Sequence, residues 1–415
     1  MTRFGRDFFI AFCAQFWFTI AATLWAQYSR WINFLGGDET AVGWIMGGGT
    51  ALALLIRPWL AETINRLGAK RTWLSGMLLL GVTAVGNLLL DRLGVPLFLL
   101  QAASTVATAI IYAAGLTYVA EIAPAEDRTE MIGAFGVAGF AGVLIGPSLT
   151  DFVINGPTRT RVNFVWMFTG AAVVLAIAIL LVSRLREAPR VRSKNPFGVD
   201  HFVADLRRYW PGAVVWVNFL FGICMIVPFR FLSRYVDAAH LESFGLGNFF
   251  VVYAGVGICV RLSMRDWPER WGLANTVFAA MIGYGVGLAS FTMADHEHPW
   301  RLLIPAMICG TCHAVWFHSL IALTIAPFPA DKRGDGAVLA LMMQDLGQVV
   351  SMPILGRLAD VHFRYLFIAA SASCFVFAAY FGWSKLHSRR RRMQEASEHA
   401  AYESPVAIES MPVPN

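Results

Sequence analysis

Charge is what this sequence lacks. Only 14% of its 415 residues are Asp, Glu, Lys or Arg, and 57% are apolar, against about 25% and about 45–50% in ordinary soluble domains. The few charges fall in short segments between apolar runs of roughly 18–25 residues, the length that crosses about 30 Å of hydrocarbon. Most soluble folds are thereby excluded. Runs of about ten alternating residues, which would mark a lipid-facing barrel, are also missing, so a helical bundle is predicted. Zinc patterns, phosphate loops and nucleophile triads do not stand out, and neither enzyme activity, a cofactor nor a metal is expected. The six cysteines (Cys13, Cys224, Cys259, Cys309, Cys312, Cys374) lie in apolar runs and imply no disulfide framework. Cys309-Gly-Thr-Cys-His313 spells a haem-attachment pattern, but mid-span it is out of reach of attachment machinery. Asp295-His-Glu-His298 lies in a polar loop and reads as a solvated segment.

What is present is a series of twelve apolar spans. The first six cover roughly 8–28, 41–61, 73–91, 96–120, 131–154 and 162–184. The second six cover roughly 211–232, 248–264, 273–293, 301–326, 336–356 and 363–386. The run that starts near Phe8 is too long for a signal h-region, and no cleavable signal is predicted. The expectation is an all-α membrane protein, with twelve transmembrane helices in two pseudo-symmetric six-helix bundles. Residues 1–184 would form the first bundle, 185–210 a cytosolic linker, 211–388 the second bundle, and 389–415 a basic and then disordered tail. The net charge of +6 reads as topology rather than nucleic-acid binding. With the N-terminus inside, 22 of the 33 Lys and Arg residues fall on the cytosolic side and 8 on the other. The positive-inside rule then puts both termini in the cytosol, in the cytoplasmic membrane, with Arg389 to Arg392 placed against anionic lipid.

The two sets of spans repeat at an offset near 204. Arg57-Pro-Trp-Leu-Ala-Glu-Thr-Ile-Asn-Arg-Leu-Gly68 aligns with Arg261-Leu-Ser-Met-Arg-Asp-Trp-Pro-Glu-Arg-Trp-Gly272. Pro124-Ala-Glu-Asp-Arg128 aligns with Pro329-Ala-Asp-Lys-Arg333, and Gly142-x-x-x-Gly146 with Gly347-x-x-x-Ser351. Repeats of six spans share one orientation, so an axis along the membrane normal relates them.

Over residues 5–388 the chain resembles the major facilitator superfamily. The loop Asn65-Arg66-Leu-Gly68-Ala-Lys-Arg71 resembles that family's Asp-Arg-x-Gly-Arg-Arg signature. Tyr118-Val-Ala-Glu121-Ile-Ala-Pro124 with Arg128 resembles its junction of spans 4 and 5, and Gly142-x-x-x-Gly146-Pro147 its exporters' glycine-proline motif. Asp345-Leu-Gly347 and Gly356-Arg-Leu-Ala-Asp360 are similar to the drug- and sugar-efflux-like branches. The resemblance implies a secondary transporter of a small solute, working as a monomer by alternating access. Two departures stand out. Asn65 replaces the loop's acid, with Glu269 supplying one in the second half, and Gln101 replaces an arginine that the family's exporters use in proton coupling. Proton-coupled export is the expected mode. Uptake, uncoupled facilitation, or a non-transporting sensor or assembly factor stay open as alternatives.

Charges deep in spans cost about 2.5–3.5 kcal/mol each on insertion scales, so they face a cavity or a partner. Asp345, flanked by Gln344 and Gln348, and the histidines His313 and His318 are the proton-coupling candidates. Asp345 and His313 at one depth would exchange a proton or hydrogen-bond each other. Gln15, Gln27, Gln101, Tyr112, Arg230 and Trp316 complete the candidate cavity; Tyr112 and Trp316 are an equivalent pair at offset 204, and Arg230 suits an anionic substrate. Arg57 and Arg261, together with Asn65, Arg66, Gly68, Arg71, Glu121, Arg128, Gly146, Pro147, Glu269, Arg270 and Gly272, are gate or scaffold candidates, with Glu121 as a partner for an arginine.

Overall fold

The computed structural model describes residues 5–124, 128–154, 159–187, 199–241, 243–263, 267–329 and 332–403. Among these the chain is helical and holds no strand. Span 1 runs Arg6–Phe34, with a tight turn at Trp25–Gln27. Spans 2 to 6 are Glu39–Leu67, Ala69–Leu88, Val95–Ile122, Arg128–Ile154 and Arg161–Ser183. Span 7 is Val214–Ala238, and span 8 is Leu246–Ser263. Spans 9 to 12 are Leu273–Ser290, Leu303–Ile325, Arg333–Val361 and Phe363–Glu403. Eleven of these helices are long and apolar enough to cross a membrane. The twelfth, span 3, starts on Lys70 and Arg71 and holds Thr83 and Asn87, which dilute its apolar character. It nevertheless packs between spans 4 and 6.

Two expectations for the polar segments change. Part of the linker is the helix Val199–Arg208, whose Asp205 takes Lys332 Nζ at 2.7 Å. Span 12 continues through the basic run to Glu403, where a tail disordered from residue 393 was expected. Arg, Gln, Glu and Ala, which make up most of 389–403, are strong helix formers and extend the helix beyond the apolar run.

The repeated loop motif has a backbone cause. Gly68 and Gly272 have φ of 89° and 90°, a region glycine enters without steric cost. Gly68 ends span 2 and Gly272 precedes span 9, so the repeat keeps the same turn in both halves. Spans also approach closely where side chains are small. A Cβ on Gly222 would lie 2.0 Å from the Gln344 carbonyl oxygen, and one on Gly347 would lie 2.0 Å from that of Phe219. Gly146 leaves the space that Thr23 of span 1 fills.

The first and second sets of six spans meet along two long seams. Span 2 packs along span 11, and span 5 along span 8. Spans 4 and 10 instead pack mainly on helices of their own set. The start of span 1 and the end of span 12 share one face of the bundle, called here the terminal face; the loops after spans 1 and 7 lie at the opposite face.

Candidate functional site

At the opposite face the two sets are bolted together by charge. The Asp237 carboxylate of span 7 accepts hydrogen bonds from Arg30 of span 1, from Arg159 and from Arg234, at 2.6–3.2 Å. Arg234 also reaches Glu39 of span 2 at 2.8 Å. Arg30 is 2% exposed, and bidentate guanidinium pairs of this kind are both strong and directional. Asp151 of span 5 accepts the Gly247 N–H of span 8 at 2.5 Å. Asp360 of span 11 accepts the N–H groups of Glu39 and Thr40 of span 2, each at 2.8 Å. Ser29 and Ser233 hydrogen-bond each other at 2.8 Å. Gln27, expected in the cavity, is fully buried in this layer, taking Arg30 Nη1 at 2.7 Å and donating to Asp151.

Halfway through the bundle the chemistry changes. Arg57 of span 2 pairs with Asp345 of span 11, binding the two sets together. Glu121, considered as a partner for an arginine, stands at the terminal end of span 4, and Arg57 reaches across to Asp345 instead. The offset of 205 that aligns Gly142 with Gly347 also aligns Phe140 with Asp345. Arg261, the counterpart of Arg57, lies with its guanidinium 4.2 Å from the Phe140 ring centroid. One seam therefore holds an ion pair and the other a cation–π contact, at equivalent positions.

Asp345 and His313 do stand at one depth, each twelve residues from the terminal-face end of its helix, or about 18 Å at 1.5 Å per residue. They do not bond each other. His313 Nδ1 lies 2.6 Å from the Tyr253 hydroxyl of span 8, and its ring is packed among Phe140, Phe221, Tyr253 and Phe317. The helix faces explain the separation. Asp345 projects toward span 2, whereas His313 projects toward spans 7 and 8. His318, one turn closer to the terminal face, is exposed and sits 3.1 Å from Arg261 Nη2.

The other cavity candidates divide. Tyr112 is 46% exposed, yet its ring is 5.2 Å from Phe18 of span 1 and its hydroxyl lies beside Thr19 and within electrostatic reach of Arg230 of span 7. This exposed side chain stands where spans 1, 4 and 7 come together. Trp316, its sequence counterpart, is fully buried against Phe221 and Tyr284; bulk apolar packing claims it, and it lines no cleft. Gln101 is buried and bonds Ser104 and Thr105 on its own helix. Gln344 donates to Asn218 at 3.2 Å, pinning span 11 to span 7, and Gln348 is half-buried. Gln15 is buried beside Thr19, with its Oε1 lacking a hydrogen-bond partner.

The loop candidates are local. Arg66 bonds Glu62 one turn away, and Arg71 bonds Glu187 at 3.2 Å. Arg270 is exposed on the short helix Trp267–Trp271, and Pro147 sits inside span 5. The side chains of Asn65, Arg128 and Glu269 lie outside the described residues. Asp295 at the opposite face binds the His298 backbone N–H and Arg301, at 2.7 and 2.9 Å. Desolvation acts to raise its pKa, but hydrogen bonds from His298 and the charges of His298 and Arg301 outweigh it, leaving the carboxyl below its ordinary value.

The Major Facilitator Superfamily profile matches residues 8–352 and 267–410. The chain belongs to the Major Facilitator Superfamily. As a member it is a multi-pass membrane transporter. It is 27% identical over 354 residues to multidrug resistance protein 1 of Bacillus subtilis (strain 168), covering 82% of this chain and 86% of that one. It is 19% identical over 342 residues to the staphylopine export protein of Staphylococcus aureus (strain Mu50 / ATCC 700699), covering 80% and 84%. The fold is similar to that of a D-xylose–proton symporter, with a TM-score of 0.73 at 12% identity over 90% of this chain and 96% of that one. In this superfamily member, sequence reasoning missed Phe140, Tyr253 and Phe221. Phe140 was open to discovery by aligning the repeat at Asp345. Tyr253 and Phe221 carried no signal beyond their apolar runs.

Proposed function

We propose that this superfamily member exports a small solute from the cytosol in exchange for protons, with both termini cytosolic and two six-helix halves rocking about the cleft. The observation that carries the coupling is the Arg57–Asp345 pair. Asp345 is the carboxylate found halfway through the described spans, and it sits on the seam between the halves. Adding a proton there discharges the pair and frees Arg57, so one titration alters a contact between the moving parts. The hydrogen-bonded opposite face and the exposed His318 and Tyr112 support reading this as a state open to the terminal face, in which an exporter would load its cargo. The likeness to a staphylopine export protein and to a multidrug resistance protein supports the outward direction.

Uncoupled facilitation is the second reading. Its support is Gln101, which cannot titrate and is satisfied within its own helix. Inside-out vesicles supplied with a small-molecule cell extract and an imposed pH gradient separate the two, with mass spectrometry reading what accumulates. A solute should accumulate with the gradient and stop accumulating when it is collapsed. Asp345→Asn should keep gradient-free exchange and lose the gradient's contribution. Gradient-driven accumulation that survives Asp345→Asn overturns the coupling role.

A further inference from the structure

The balance of charge within the bundle is uneven. Among the described residues, Arg57, Arg230, Arg261, His313 and His318 stand inside the spans away from the opposite-face cluster; Asp345 is the carboxylate that pairs at Arg57's level, while Glu62, Glu121 and Asp335 lie toward the terminal-face ends of their helices. Arg57 is neutralised by Asp345. Arg230 and Arg261 form no salt bridge with a described carboxylate. Insertion of a guanidinium at mid-bilayer costs about 2.5–3.5 kcal/mol unless water, a partner or a ligand meets it.

Both arginines of the second half face the first: Arg230 lies toward Tyr112 and Arg261 over Phe140. Arg230 lies in the π-helical turn Val227–Phe231, next to Pro228. A π-turn of this kind breaks the regular ladder and is common at functional sites. Its guanidinium is within electrostatic reach of Tyr112, the accessible tyrosine on the far wall. Arg261 stands nearer the terminal face with the exposed His318, and its Nε has no hydrogen-bond partner. Aromatic rings adjoin both positions, Phe140 of the first half against Arg261 and Phe229 of the second next to Arg230 in the chain, both half-buried. The meeting of the halves thus offers one positive charge at Arg230, a second at Arg261 nearer the terminal face, and ring faces beside them.

We propose, building on the export reading above, that the transported solute is an organic anion bearing a ring, whose acidic group is received by Arg230 beside Tyr112 after passing Arg261. Guanidinium suits this task because it stays charged and offers paired donors to a planar acid. The Tyr112 hydroxyl supplies one more donor, and Phe140 a face for the ring.

The test is equilibrium binding to the purified full chain in nanodiscs. The probes are benzoate, indole-3-acetate and 2-naphthoate, each with its neutral amide and its matched primary amine. Thermal stabilisation gives the readout, with tryptophan fluorescence as a second. At least one acid should bind at least tenfold tighter than its amide, and the amine should not bind. Arg230→Gln should abolish the acid-over-amide preference, whereas Arg230→Lys should keep part of it. Arg230→Lys also guards against misfolding, since it retains the charge. Amides or amines binding as well as the acids, an acid preference that survives Arg230→Gln, or no binding by any of the three acids each overturns the inference. Acid binding without flux in vesicles would keep this inference and sink export; flux of cationic or neutral solutes alone would do the reverse.

Discussion

The opposite-face layer and the layer halfway through the bundle are built on the same duplication but have diverged differently. At the opposite face each half uses one chemistry: a span's terminal carboxylate caps the first turn of a helix in the other half. Asp360 does so for span 2 and Asp151 for span 8. Halfway down, the same two seams carry unlike contacts, Arg57 with Asp345 and Arg261 with Phe140. The opposite-face caps therefore kept their two-fold character, whereas, among the described residues, the ion pair halfway down lies on one seam and a cation–π contact on the other. A mechanical latch works best when both sides bear load equally. Under the proposed coupling one titratable site suffices, and a second buried carboxylate would only add desolvation cost.

Substitution can break this contrast. Asp345→Ala should have the largest effect, since a buried guanidinium left without its partner costs about 3–5 kcal/mol; thermal unfolding in one detergent reads it. Asp360→Ala and Asp151→Ala should each lose about 0.5–2 kcal/mol, the usual worth of a capping group, and the two losses should match. Unequal losses would show that the latch is asymmetric after all. Phe140→Leu should cost least, about 0.5–1 kcal/mol for an exposed-type cation–π contact. If it costs as much as Asp345→Ala, the two seams are energetically equivalent and the contrast between them fails.

Much of the architecture was legible in the residues, because it rests on local signals. Span length, the polar gaps and the Arg-x-Gly loops follow from hydropathy and from backbone demands that act over a few positions. The depth of Asp345 and His313 was also readable, since depth follows from counting along a helix. Their partners were not. Arg57 and Asp345 are 288 residues apart, and Arg30 and Asp237 are 207 apart, so only the packing of the two halves brings them together. Gln27 and Trp316 show the same limit: a polar or aromatic residue in a span has a helix face, and the sequence does not say which neighbour that face meets. Gln27 went to the latch and Trp316 to the core.

The Ser29–Ser233 hydrogen bond has a geometric meaning of its own. These residues are 204 positions apart, the spacing of the repeat itself, so each is touching its own twin. Two copies of one position can meet only where the dyad passes between them. That makes their separation a ruler: it is short when the far vestibule is sealed and lengthens as soon as the halves part there. A cysteine at each site, cross-linked or spin-labelled, would turn that single spacing into a direct gauge of which way the carrier faces.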